Sequence, residues 1–221
     1  RLDILAHMFQ PQKTVAIEIK FWDIPADTQS SNEASEIGGQ FLNLLQSADT
    51  ILHVTRDFKD PSVPHNLGSV DPHRDIKTMN GELTISDLVI LDRRMDRLKE
   101  GLKGAKKSER EYLVNEQSIL THAQKSLEDG IPLREVQFAK QQEVLSNYQF
   151  LTAKPMMLVL NTDENKVNDI EDEEIALVKR YRRQGVDVIS LRAQLEMELS
   201  ELSPQEGSEF RNSLGMKHEH L

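Results

Sequence analysis

Asp23 ends the apolar run Ile17-Glu18-Ile19-Lys20-Phe21-Trp22, and Asn161 ends another, Met156 to Leu160, with Thr162-Asp163-Glu164 after it. If both runs are strands of an open parallel sheet, both residues sit at carboxyl strand ends, where such sheets gather ligands. An aspartate there can hold a metal ion or its water beside phosphates. An amide with a carboxylate three residues on can read the edge of a purine through paired donor and acceptor contacts. Each also has a plainer reading: Asp23 as a helix or turn cap, Asn161 with Asp163 as an Asx turn. The histidines His53, His65, His73 and His122 fall on different elements without ligand spacing, and Met156-Met157 and Trp22 read as core residues.

The elements that must position these residues follow from apolar patterning. Val15 to Trp22, Thr50 to Thr55, Met156 to Leu160 and Val186 to Leu191 are aliphatic or β-branched for several residues and end in polar or turn residues. This predicts four buried parallel strands. Ile37, Phe41, Leu44 and Leu45 recur at helical spacing between the first two, and a second helix is expected over roughly Glu171 to Gln184. Strand, helix, strand is the βαβ unit of a parallel sheet, so the class is α/β. The middle differs. From Glu82 to Arg110 and from Glu111 to Asp129 the chain is dense in Glu, Lys, Arg, Leu and Gln, with Leu88, Leu91, Met95, Leu98 and Leu102 as an apolar stripe. This predicts a helical hairpin, turning near Gly101, Gly104 and Lys106-Lys107 and stopping at Asp129-Gly130-Ile131-Pro132. Ordinary helix packing and a projecting two-stranded coiled coil both fit the stripe. The expected organisation is α/β over 1–75, a helical insertion over 76–150, and α/β again over 151–221.

Composition narrows the classes. The 221 residues carry a net charge of -10, 38% hydrophobic and 5% aromatic residues, and no cysteine. Disulfides, thiolate zinc sites and a cysteine nucleophile are excluded. No apolar run approaches the roughly 20 residues of a membrane helix, and no signal peptide opens the sequence, so a cytoplasmic address and no membrane partner are expected. The acidic balance excludes bulk condensation on nucleic acid but hides a local exception. Residues 92 to 111 hold Arg93, Arg94, Arg97, Lys99, Lys103, Lys106, Lys107 and Arg110 against Asp92, Asp96, Glu100, Glu109 and Glu111, a net excess of three positive charges. A solvated helical face laced by salt bridges and an RNA phosphate contact at the tip, through Lys103, Lys106 and Lys107, are the alternatives.

Taken together, the motifs resemble the YchF family, the Obg-like ATPases in the translation-factor class of P-loop GTPases. Phe21-Trp22-Asp23-Ile24 with Gly38-Gly39-Gln40-Phe41-Leu42 is similar to the family's switch region and the helix start after it. The strand Asp49 to Phe58, the block Asp60-Pro61 through Val63-Pro64-His65 to Gly68-Ser69-Val70-Asp71-Pro72-His73-Arg74-Asp75-Ile76, and Leu151-Thr152-Ala153-Lys154-Pro155 continue the likeness. Asn161-Thr162-Asp163-Glu164 matches the family's Asn-x-x-Glu, where ordinary GTPases carry Asn-Lys-x-Asp, and Glu196 to Leu202 with Glu209-Phe210 and Leu214-Gly215 is similar to the segment closing the family's G domain.

The resemblance implies a GTPase-like G domain interrupted by a coiled-coil arm, and a monomer that binds ATP or GTP with Mg²⁺ and works on or near the ribosome. It implies base recognition by Asn161, Thr162, Asp163, Glu164 and Ala193, with Glu164 favouring adenine. It sets Asp23 near the Mg²⁺, in its second shell, and Ala26 at the switch. Departures shape the mechanism. No Gly-x-x-x-x-Gly-Lys-Ser/Thr occurs, so the phosphate loop is expected upstream of Arg1, and the family's C-terminal TGS domain is also expected outside these residues. Asp23-Ile24-Pro25-Ala26 stands where the family has Asp-Ile-Ala-Gly, and Pro25 with the Ala26 Cβ restricts that turn. Asp27 to Asn32 replaces a glycine-rich, hydrophobic loop, with Gln29 open to reading as a water-positioning or an ordinary polar residue. The family's Ser-Ala is represented by Arg192-Ala193, where only the alanine matches. Two functional expectations remain: a nucleotide-hydrolysing protein when complete, or a non-hydrolysing interaction module using its arm.

Overall fold

A computed structural model describes residues 2–24, 39–65, 67–138, 142–163, 176, 177, 179–181 and 186–213. Three of the four apolar runs form a parallel sheet: β1 (Ile51–Asp57), β2 (Met156–Thr162) and β3 (Val186–Leu191), in the order β1-β2-β3. Ile51 lies beside Met156 and Met156 beside Val186, so alternate positions share a face across all three strands. One face is packed. Ile51, Met156, Leu158, Leu160 and Val186 join Leu177 and Tyr181, which lie in helical turns, and Leu42 and Leu45 of α2 (Gly39–Ser47) lean on the cluster. On the other face Leu52, Val54 and Ile189 are 46%, 62% and 42% exposed.

The expected first strand, Val15 to Trp22, is not in the sheet. After α1 (Leu2–Phe9) the residues to Ile24 carry no regular secondary structure, and Ile17 and Phe21 are 90% and 75% exposed. An apolar alternating run becomes a buried strand only beside a hydrogen-bonding neighbour, and among the described residues none lies along it. The expected helix from Glu171 lies mostly outside the described residues; those described at 176–181 are helical.

The helical middle is a hairpin of α3 (Pro72–Gly104) and α4 (Lys107–Glu128). α3 begins ten residues before the expected start, because Asp71 caps it by accepting from the Arg74 N–H at 3.0 Å and Pro72 supplies the first turn. Its early residues Ile76 and Leu83 belong to the sheet's core, so the expected boundary at 75 falls inside its first turn. Leu91 and Leu98 belong to a second core with Ile119, Leu120, Ala123 and Leu127 of α4. Gly101 does not end the helix. A Cβ there would meet the Leu113 side chain at 3.6 Å, an ordinary contact, and the turn comes at Ala105-Lys106. α4 stops where expected. The Ile131 N–H donates to Ser126 O at 2.8 Å and the Gly130 N–H to Leu127 O at 3.0 Å, with Gly130 at φ +76°, a left-handed cap that glycine adopts without Cβ strain. The short 3-10 turns Leu133–Glu135 and Leu151–Ala153, with α5 (Gln142–Ser146) between, return the chain to β2. After β3 come α6 (Ala193–Ser200) and α7 (Pro204–Ser213).

Candidate functional site

The carboxyl end of β2 carries Asn161, and α6 starts two residues after β3 ends beside it. The Ala193 N–H donates to Asn161 Oδ1 at 3.2 Å. A first-turn amide of a helix has no partner within its own helix, so Ala193 can give its N–H to a side chain or a ligand. Thr162 is buried, and its Oγ1 has no hydrogen-bond partner among the described residues. Asp163 follows, half-buried, at the strand's end. The Ala193 N–H is taken by Asn161 Oδ1, and the contact fixes the Asn161 amide so that its Nδ2 donor stands at the strand end, a group that can meet the polar edge of a flat heterocycle.

The sequence-predicted residues divide accordingly. Asn161 and Ala193 come into direct contact, with Thr162 and Asp163 beside them. Glu164 and Ala26 lie outside the described residues, as does Gln29. Asp23 is exposed and makes no hydrogen bond or ion pair among the described residues. No group of three or more His, Asp or Glu among the described residues could hold a metal ion. These side chains do not by themselves make up a resident Mg²⁺ site among the described residues.

The family-like block after β1 is an ordered loop at the same edge of the sheet. Arg56 donates to the carbonyls of Phe58, Asp60 and Val63 at 3.0, 3.2 and 2.8 Å and stacks on the Phe58 ring at 4.5 Å. The Ser62 hydroxyl and N–H hold the Asp60 carboxyl below its usual range. His65 Nδ1 accepts from the Leu67 N–H at 3.2 Å, which leaves Nε2 to donate to Asp75 Oδ2 at 3.0 Å. Asp75 also pairs with Arg74.

At the arm's tip Lys103 pairs with Glu100 at 2.7 Å and Lys99 with Asp96 at 3.0 Å, exposed pairs one helical turn apart. Lys106 and Lys107 are exposed and form no ion pair among the described residues. Arg94, counted among the arm's cations, is committed inward: it donates to both carboxylate oxygens of buried Glu116, at 2.7 and 2.9 Å, and to the Tyr148 hydroxyl, which itself donates to Glu116. That hydrogen bonding raises the Arg94 guanidinium and outweighs burial to keep Glu116 below its ordinary value, while burial pushes the Tyr148 phenol up to about 12.

Sequence reasoning passed over a further buried polar group. Asp87 of α3 is 0% exposed and accepts from the N–H of Leu151 at 2.8 Å and of Thr152 at 2.7 Å. Burial pushes its carboxyl up to about 6, against the hydrogen bonds from Thr152 and Leu151. The available signal was an aspartate on the hairpin's apolar side, one residue before Leu88.

These features define an α/β protein in which a helical hairpin leaves and re-enters a parallel sheet. No protein-family model matches the chain. It is 32% identical to the "Ribosome-binding ATPase YchF" of Bacillus subtilis over 220 residues, 98% of this chain and 59% of that protein. It is 30% identical to the protein of the same description from Escherichia coli O157:H7, with the same coverage, and 27% identical to "Obg-like ATPase 1" of Oryza sativa subsp. indica, covering 95% of this chain and 53% of that one. The solved Schizosaccharomyces pombe YchF GTPase matches its fold with a TM-score of 0.73 and 25% identity, over 85% of this chain and 51% of that one. Over nearly its whole length the chain is similar to YchF-type Obg-like ATPases, and it spans 59% of the length of the bacterial relatives named here.

Proposed function

We propose that this chain supplies the base-recognising edge and the helical arm of a YchF-type protein that binds a purine nucleotide, ATP or GTP, with Mg²⁺ arriving on the nucleotide's phosphates. The observation that carries the reading is the Asn161–Ala193 contact. It joins the end of β2 to the start of α6 and puts an amide and a backbone N–H at one point of the sheet's carboxyl edge. On this reading Glu164 contributes to base choice, Asp23 and Ala26 belong to the nucleotide-sensing side, and residues 1–75 and 151–221 form one G domain around the 76–150 insertion.

Hydrolysis of the nucleotide, a cytoplasmic location, a monomeric state and work at the ribosome extend the same proposal. The name carried by the bacterial relatives, ribosome-binding ATPase, supports hydrolysis and work at the ribosome. Lys103, Lys106 and Lys107 would then meet RNA phosphates. Titration of the full-length protein with ATP and with GTP tests the reading: binding is expected, with strong weakening in Asn161→Ala. Failure of both nucleotides at millimolar concentration would overturn it and leave the arm as an interaction module.

A further inference from the structure

One turn of chain, residues 151–154, touches every part of the molecule that would have to move together. Its start is held by the arm: the buried Asp87 carboxylate of α3 accepts from the Leu151 and Thr152 N–H groups, one oxygen to each. Its end is held from the arm's return by Arg134, which donates to Thr152 O at 3.1 Å and Lys154 O at 3.4 Å. Lys154 then reaches away from the arm. Its Nζ donates to Gln46 O at 2.9 Å and Ala48 O at 2.6 Å, the free carbonyls at the carboxyl end of α2. The next residue, Pro155, accepts from the Ile51 N–H at 3.0 Å where β1 begins, and β2 follows directly towards Asn161.

A joint of this kind is a costly way to gain stability alone, since apolar side chains of similar volume would pack as well as a buried carboxylate and a partly buried arginine. What it adds is a fixed geometry, because the Asp87 carboxylate and the Lys154 ammonium each find their partners in one arrangement and lose them on a small displacement, whereas Arg134 Nε has no hydrogen-bond partner among the described residues. We infer that Asp87 and Lys154 are positioning residues of a mechanical joint that sets the helical arm's orientation by the position of α2. The inference rests in part on the nucleotide reading. α2 follows the segment likened to a nucleotide-sensing switch, so a displacement begun there would arrive at the carbonyls that Lys154 holds. A nucleotide can turn the arm through this joint only if it binds the two positions of α2 with different affinity.

The test uses the full-length protein with spin labels at Ser108→Cys on the arm and Glu198→Cys on α6, two exposed sites among 221 residues that hold no cysteine, any cysteine outside them being replaced by serine. In nucleotide-free protein the arm-to-core distance distribution is expected to broaden in Lys154→Met and in Asp87→Asn, with Lys154→Arg restoring its width. Unchanged width in both variants, with circular dichroism showing them folded, overturns the joint whether or not any nucleotide binds. With ATP·Mg²⁺ added, the distance shift of the parent is expected to vanish in Lys154→Met while nucleotide affinity is retained. An equal shift in both proteins also overturns the joint. Absence of nucleotide binding would sink the nucleotide reading alone.

Discussion

The arm and the sheet bury their apolar surface in opposite ways. In the α3–α4 hairpin the stripe read from the sequence closes on itself: Leu91 and Leu120 are 0% exposed, Leu98 1%, and the Arg94–Glu116–Tyr148 cluster clasps the helices to the return segment. The sheet is packed on one face only, and on the other Val54 stays 62% exposed, although parallel sheets are ordinarily covered on both sides. The hairpin closes between residues such as Arg94 and Glu116, 22 apart, whereas in the sheet β2 pairs with β3 across 30 residues and with β1 across 105. Stability should accordingly be concentrated in the arm and in the packed face.

The largest effect that could break this contrast is cavity formation in the arm. Leu120→Ala should cost about 2–5 kcal/mol in urea unfolding, as for other fully buried leucines. A cost comparable to that of a surface substitution would refute the packing described for the hairpin. Next comes a pH experiment on the sheet side. Burial pushes the His53 imidazole down to about 4 and the Asp87 carboxyl up to about 6. His53 is held neutral by the fold, so its contribution is intact above its unfolded value of about 6.5 and is lost as pH falls towards 4. Asp87 holds its proton more tightly when folded, so its contribution is present below about 4 and is lost as pH rises through 6. Between about pH 4 and 6 the two oppose each other. Relative to wild type, His53→Gln should gain stability on acidification across that window and Asp87→Asn should lose it, each by on the order of 3 kcal/mol. Parallel pH profiles for the three proteins would remove the assignment.

A smaller effect sharpens the account of the clasp. Tyr148→Phe deletes the hydroxyl shared by Glu116 and Arg94 and should cost about 1 kcal/mol, seen as a lower urea midpoint with an unchanged slope. At the far end of the scale, Val54→Ala on the open sheet face should change stability by less than about 0.5 kcal/mol. A loss of several times that would mean that something covers this face. Reversing Lys106 and Lys107 to glutamate should likewise leave stability alone while abolishing salt-sensitive cosedimentation with ribosomes. Unaltered cosedimentation would confine the tip to a solvated face.

How far the sequence revealed these features depended on whether the signal was local. β2 was legible because Met156 to Leu160 is a continuous apolar run, β3 because Val186, Val188, Ile189 and Leu191 are aliphatic, mostly β-branched, residues, and the α4 stop because Asp129-Gly130 is a local signal. Val15 to Trp22 carries the same apolar signature and yet is exposed, since a run of side chains says nothing about whether a neighbouring strand is present to pair with. The early start of α3 was written in Asp71-Pro72, but the charged stripe further on drew the boundary towards Glu82. At the site, the pairing of Asn161 with Ala193 came from resemblance. Thirty-two residues separate them, and no spacing rule links the end of one strand to the helix after the next. Asp87 carried only its place on the hairpin's apolar side as a signal, and one carboxylate in a helix rich in charge looks solvated until the chain that covers it is placed.

The most direct measurement is the backbone amide resonance of Ala193 in the full-length protein during titration with nucleotides. The account predicts a saturable shift with ATP or GTP, little response to CTP or UTP, and loss of the purine response in Asn161→Ala. An Ala193 resonance that ignores purines, or that moves equally with pyrimidines, would contradict a base site at the end of β2.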